Sequence, residues 1–159
     1  MYFLSCKVFM TTDYQTLIAQ ARALTAGESD MIANMANISA LLFHSLPDLN
    51  WAGFYRVVDS ELVLGPFQGQ TACIRIAFGK GVCGTAAATR ETQMIADVHQ
   101  FEGHIACDAA SNSEIVIPLI VNDKVVAVLD IDSPEFNRFN DDDAVNLSEI
   151  VKILEASWV

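Results

Sequence analysis

Two apolar runs, Ile115-Val-Ile-Pro-Leu-Ile-Val121 and Val125-Val-Ala-Val-Leu-Asp-Ile131, are separated only by the polar stretch Asn122-Asp-Lys124. Both are short and rich in β-branched residues, so the pair predicts a hairpin. A second hairpin is predicted upstream, where Ala52-Gly-Phe-Tyr-Arg-Val-Val58 and Glu61-Leu-Val-Leu-Gly-Pro-Phe67 flank Asp59-Ser60. Cys73-Ile-Arg-Ile-Ala77 alternates as a further strand, and Met94-Ile-Ala-Asp97 reads as a short one. Helical spacing brackets this β region. Leu17, Ile18, Ala21 and Leu24 predict an amphipathic helix over Tyr14–Thr25, stopped by Gly27. Met31, Met35, Ile38, Leu41 and Leu42 predict a second over residues 30–45, capped by Ser29 or Asp30 and ended by Pro47. A short helix is expected over residues 82–89, after the tight loop Gly79-Lys-Gly-Val-Cys-Gly84. The last helix covers residues 141–159, with Val145, Ile150, Val151 and Leu154 turned inward. Helices, then hairpins, then a helix predict an α+β domain. Its central antiparallel sheet carries the N- and C-terminal helices on one face.

A chain of 159 residues, 52% hydrophobic, is most simply one domain with a real core. We take residues 13–159 as that domain and residues 1–12 as a loose N-terminal extension, with Cys6 incidental. The net charge of −11 argues against nucleic acid and anionic membrane as partners, because both need a positive face. No apolar run is long enough to span a bilayer, and the first ten residues lack the plan of a signal peptide. The four cysteines are therefore expected in the reducing cytoplasm, where reactive thiols are commoner than structural disulfides.

The chemistry concentrates in the second half. Asp130 and Asp132 are two apart on a strand, so they share a face while Ile131 points the other way. Glu114 precedes the partner strand, and registry on the Asn122-Asp-Lys124 turn brings it near both. Three gathered carboxyls repel, and at least one pKa should rise. Such a carboxyl can donate a proton near neutral pH, and together the acids can hold an ammonium group. A solvated strand end would show the same spacing. Cys83 lies at a predicted helix start, where the dipole favours a thiolate. Cys73 begins a strand, and Cys107 lies in the loop before Glu114. Any two could form a reversible disulfide, and each could equally be a small buried hydrophobe. Cys73, Cys83, His99, His104 and Cys107 could supply zinc ligands, but without Cys-x-x-Cys or close His spacing. The Gly79–Gly84 loop lacks the ending of a phosphate-binding P-loop. His44 reads as a surface residue. Trp51 and Tyr55 suit either a pocket wall or a core.

Asn50-Trp-Ala-Gly-Phe-Tyr55, Leu64-Gly-Pro-Phe-Gln-Gly69, Gly79-Lys-Gly-Val-Cys-Gly-Thr85, Gly103-His-Ile-Ala-Cys-Asp-Ala-Ala-Ser-Asn-Ser-Glu114 and Val128-Leu-Asp-Ile-Asp-Ser133 resemble the free methionine-(R)-sulfoxide reductases. These are stand-alone GAF domains, and the resemblance runs from about Tyr14 to the C-terminus. It implies reduction of free L-methionine-(R)-sulfoxide to methionine, with no action on the residue inside proteins. By matching positions, it implies Cys107 as the attacking thiolate and Cys73 and Cys83 as the other redox cysteines. The split of roles among the three stays open. It implies Glu114, Asp130 and Asp132 as substrate-binding acids, and Trp51 and Tyr55 as aromatics lining the pocket. It further implies recycling by thioredoxin, no metal or organic cofactor, and a homodimer formed through the helices. Two rivals follow from the residues: a GAF domain that senses a small molecule without turnover, and a zinc-stabilised domain.

Overall fold

The computed structural model describes residues 11–105 and 109–159. In chain order these form α1 (Tyr14–Thr25), α2 (Met31–Ser45), β1 (Trp51–Val58), β2 (Glu61–Gly69), β3 (Arg75–Ala77), α3 (Gly81–Thr89), β4 (Gln93–Ile95), a turn of 3-10 helix (Val98–Gln100), β5 (Ser113–Val121), β6 (Lys124–Ser133) and α4 (Asp141–Ser157). The expected extension over residues 1–12 falls almost wholly outside the described residues.

Both predicted hairpins form, and their turns show why. Asp59 and Ser60 have φ of 50° and 66°, and Asn122 and Asp123 have 48° and 63°. Positive φ at both central residues gives a turn whose twist matches that of the flanking strands. The β1–β2 and β5–β6 hairpins then join through an antiparallel β1–β6 ladder. The full sheet has the order β3-β2-β1-β6-β5-β4, with every described neighbour antiparallel.

One face of the sheet presents Ala52, Phe54, Ile115, Ile117, Leu129 and Ile131 to the helices. Against it pack Leu17 and Ala21 of α1, Met35, Ile38 and Leu42 of α2, and Leu147, Ile150 and Leu154 of α4. The caps are local. Asp13 accepts from Thr16 N at 3.1 Å, Asp30 from Ala33 N at 3.0 Å, and Asn140 with Asp143 closes a capping box on α4. The short α3 lies on the other face, where Val82, Cys83, Ala86 and Ala87 join Trp51, Tyr55, Val116 and Val128 in a second, smaller cluster.

Three sequence expectations shift. Val145 is 64% exposed. It lies five residues before Ile150, about 140° around a helix, and Leu147 takes the inward place instead. Leu24 is 43% exposed, and Thr25 turns inward in the last turn of α1. The third strand begins at Arg75, leaving Cys73 in the segment ahead of it.

Candidate active site

The cleft is built on the sheet face that α1, α2 and α4 do not cover. Two rows of cross-strand partners supply its floor, because directly paired residues project to the same side. The first row pairs Trp51 of β1 with Asp132 of β6, Asp132 with Glu114 of β5, and Glu114 with Ile95 of β4. The second pairs Gly53 with Asp130 and Asp130 with Val116. Thus alternation along β6 puts both aspartates on the cleft side, and hairpin register brings Glu114 beside them. Glu114 lies inside β5 rather than ahead of it.

Six of the expected residues, Trp51, Tyr55, Cys83, Glu114, Asp130 and Asp132, line this one cleft. It holds about 520 Å³ of empty space, counting its open mouth. Cys73 stands at its edge, where its carbonyl accepts a hydrogen bond from Tyr55 Oη at 3.0 Å. Cys73 is disulfide-bonded, whereas Cys83 is free and buried. Cys107 lies outside the described residues.

The acids behave as crowding demands. Burial, then the charges of Asp130 and Asp132, push Glu114 well above the usual carboxyl range. Burial also raises Asp130 to about 6, against hydrogen bonds from Cys83 and Glu114 that favour its ionised form. Asp130 Oδ1 is buried without a hydrogen-bond partner among the described residues. Within the pair Glu114 is thus the group that donates a hydrogen bond and Asp130 the one that accepts it. Cys83 departs from expectation. It does sit in the first turn of α3, but burial and the neighbouring Asp130 and Glu114 push its thiol well up. A helix dipole is worth about 1 kcal/mol, too little to hold a thiolate in that setting.

Cys83 Sγ and one oxygen each from Glu114 and Asp130 lie within 4.8 Å of one another. Among the described residues this is the one trio of donors close enough to hold a metal ion. Among the described residues the zinc set weighed from sequence does not gather: His99 Nε2 lies 3.0 Å from Asn112 Oδ1, and His104 lines the cleft without joining that trio. His44 is exposed.

The aromatic wall is ordered by stacking. Trp51 lies against Tyr55 at 6.0 Å and against Phe67 at 5.2 Å between ring centroids. Phe67 was not singled out from the sequence, nor was Ser111, which is buried in the cleft lining and accepts from Asn50 Nδ2 at 3.0 Å. Phe67 pairs across the ladder with Gly53, a large residue opposite a glycine, in a register that a bulge between Gly53 and Tyr55 shifts.

Residues 33–155 match the GAF domain family. The chain is 57% identical over 145 residues to the free methionine-R-sulfoxide reductase of Escherichia coli, covering 91% of this chain and 88% of that protein. The chain belongs to the free methionine-(R)-sulfoxide reductase family of GAF domains. Solved structures agree with that membership. The fRMsr of Staphylococcus aureus in its reduced form superposes with a TM-score of 0.92 at 53% identity, covering 94% of this chain and 97% of that one. The free methionine-R-sulfoxide reductase of Neisseria meningitidis, solved in complex with its substrate, gives 0.88 at 44% identity, covering 91% and 87%. Those three relatives are named as reductases of one small molecule.

Proposed function

We propose that this chain reduces free L-methionine-(R)-sulfoxide to L-methionine. The observation that carries the reading is the row Trp51–Asp132–Glu114, which sets an aromatic wall beside two carboxyls at the floor of one small cleft. A sulfoxide oxygen departs only when protonated. Glu114, held protonated by its surroundings, supplies that proton. Asp130 and Asp132 carry negative charge to the substrate ammonium, which a residue inside a protein chain lacks. The stacked rings of Trp51 and Tyr55 face the S-methyl group.

Cys107 is the attacking thiolate. Its sulfur bonds to the sulfoxide sulfur, the protonated oxygen passes to the cysteine, and methionine leaves with Cys107 as a sulfenic acid. Cys73 then displaces that oxygen as water, closing a disulfide. Two features support Cys73 over Cys83 for this second step: Cys73 already stands in a disulfide here, and Cys83 is buried with its thiol held protonated. Thioredoxin in the reducing cytoplasm reopens the bond by exchange. Among the described residues no helix is long and apolar enough to cross a membrane.

The test is a thioredoxin-coupled NADPH assay with free R and S sulfoxide epimers and a blocked R-sulfoxide peptide. Turnover on the free R epimer alone, lost in Cys107→Ser, is the expected result. No turnover with a competent reductant would leave a ligand-sensing GAF domain as the better account.

A further inference from the structure

The segment that carries Cys73, residues 70–74, crosses from β2 to β3 without helix or strand structure of its own. Little apolar burial fixes it. Ile74 is 70% exposed, and Ala72 and Cys73 are only partly buried against the cleft-side cluster. The Cys73 disulfide and hydrogen bonds fix it instead. Trp51 Nε1 donates to Gln70 O at 3.1 Å, Tyr55 Oη donates to Cys73 O at 3.0 Å, and Leu64 N donates to Ile74 O at 2.9 Å.

Two of these three donors are the aromatic residues that wall the cleft. Both are almost wholly buried, at 3% and 1% exposure, and their rings stack on each other. A buried ring has few rotamers to lose, so its polar tip is a stiff post rather than a tether. The hydroxyl of Tyr55 stays a donor throughout, because burial and the facing Asp130, Cys83, Asp132 and Glu114 hold its proton on.

We infer that Tyr55 is a positioning residue for Cys73: its hydroxyl, bonded to the Cys73 carbonyl, sets where the resolving sulfur stands at the edge of the cleft. The inference rests on the proposed reductase reading and adds a role to Tyr55 beyond lining the pocket. In the step concerned, the Cys73 sulfur bonds to the Cys107 sulfur, the sulfenic oxygen leaves with the thiol proton and one further proton as water, and no outside reductant is consumed. Trp51 secures the other end of the same segment, so the wall that receives substrate also presents the second thiol.

The experiment is a quenched single turnover of the fully reduced protein with free methionine-(R)-sulfoxide and no external reductant. Methionine is measured by chromatography, the disulfide by loss of alkylatable thiols, and the sulfenic acid by dimedone trapping. The variant is Tyr55→Phe, which keeps the ring and removes the hydroxyl. Relative to wild type, the ratio of disulfide-closure rate to methionine-formation rate is expected to fall about fivefold to tenfold, the effect of one neutral hydrogen bond. Dimedone-trapped sulfenic acid should rise accordingly. Where Tyr55→Phe does not fold, Trp51→Phe removes the Gln70 bond and is expected to lower the same ratio. An unchanged ratio, or both rates falling together, overturns the positioning role. Failure of the wild type to form any methionine overturns the reductase reading itself, and is told apart by that measurement alone.

Discussion

Glu114 and Asp132 stand directly opposite each other across the β5–β6 ladder. Two carboxyls at such a pair disfavour each other's ionisation, and here they share a face with buried Asp130. They lie on the face away from the main helices, where an apolar residue would pack with less strain. On the proposed reading, the substrate ammonium offsets the cost of gathering them.

Asp130 gives the first consequence. Its carboxyl titrates near 6 in the folded protein against 3.8 ordinarily. A raised pKa means that its favourable contribution is complete below pH 3.8 and lost as pH rises through 6. That difference corresponds to about 3 kcal/mol at roughly 1.4 kcal/mol per pH unit. Asp130→Asn, fixed neutral, should therefore be more stable than wild type at pH 8 by up to about 3 kcal/mol, with the gap closing towards pH 4. Urea midpoints across that range measure it. A variant equally weakened at every pH would show that Asp130 is ionised at no cost.

Cys83 gives a second. A buried thiol with its pKa pushed well up is a poor nucleophile at neutral pH. Cys83→Ala should still lose two thiols per chain on treatment with free methionine-(R)-sulfoxide, and its KM should rise because Asp130 loses a hydrogen-bond donor. Cys73→Ser should instead stop at a sulfenic acid that dimedone traps. Mass spectrometry of alkylated protein separates the outcomes. Retention of all thiols in Cys83→Ala would return Cys83 to the redox pair.

The sheet and its acidic floor were legible because both rest on a period of two. Asn122-Asp-Lys124 marks the turn, the turn fixes the register, and register decides which residues face Asp130 and Asp132. What period and composition could not show was depth. The start of α3 was visible from its glycines, yet not that Cys83 would be buried against Asp130, which reverses the effect expected of the helix dipole. Likewise Val145 fits a helical face only until Leu147 is seen to fill it. The hold of Tyr55 on Cys73 spans 18 positions and depends on a chain path that no local pattern records.

Gly53 of β1 stands opposite Phe67 of β2. A Cβ there would lie 2.3 Å from Phe67 Cβ, 2.7 Å from Phe67 Cα and 2.8 Å from the Trp51 ring. Two of those atoms belong to or adjoin backbone, so rotamer change cannot relieve the clash. Gly53→Ala should destabilise by about 3 kcal/mol, the upper part of the usual range for overpacking. At about 2–4 °C per kcal/mol for a chain of this size, Tm should fall by roughly 10 °C. Affinity for free methionine should fall too, since Trp51 is displaced. A calorimetric scan with and without methionine checks both, and an unshifted Tm would mean that the ladder opens at no cost.

The opposite face carries its own buried charge, and the two faces should be separable. Asp143, in the first turn of α4, accepts from Tyr14 Oη of α1 at 2.5 Å, from Arg138 Nη1 at 3.1 Å and from Asn140 N at 3.0 Å. Arg138 also donates from Nε to Pro47 O at 3.0 Å, so one carboxylate ties the ends of three helices. Tyr14→Phe removes one of three donors and keeps the ring in the core. It should cost about 1.5–3 kcal/mol, the range for a hydrogen bond to a charged group. Arg138→Ala leaves the carboxylate without its countercharge and should cost more, about 3–5 kcal/mol. Because burial and Asp143 hold the Tyr14 proton on, its loss should add no pH dependence between 5 and 9. Neither residue lines the cleft, so KM for the free sulfoxide should stay at its wild-type value in whichever variant remains folded. Urea denaturation beside steady-state kinetics tests this ordering. A KM raised in Tyr14→Phe at unchanged stability would show that the helical face and the cleft are coupled through the sheet.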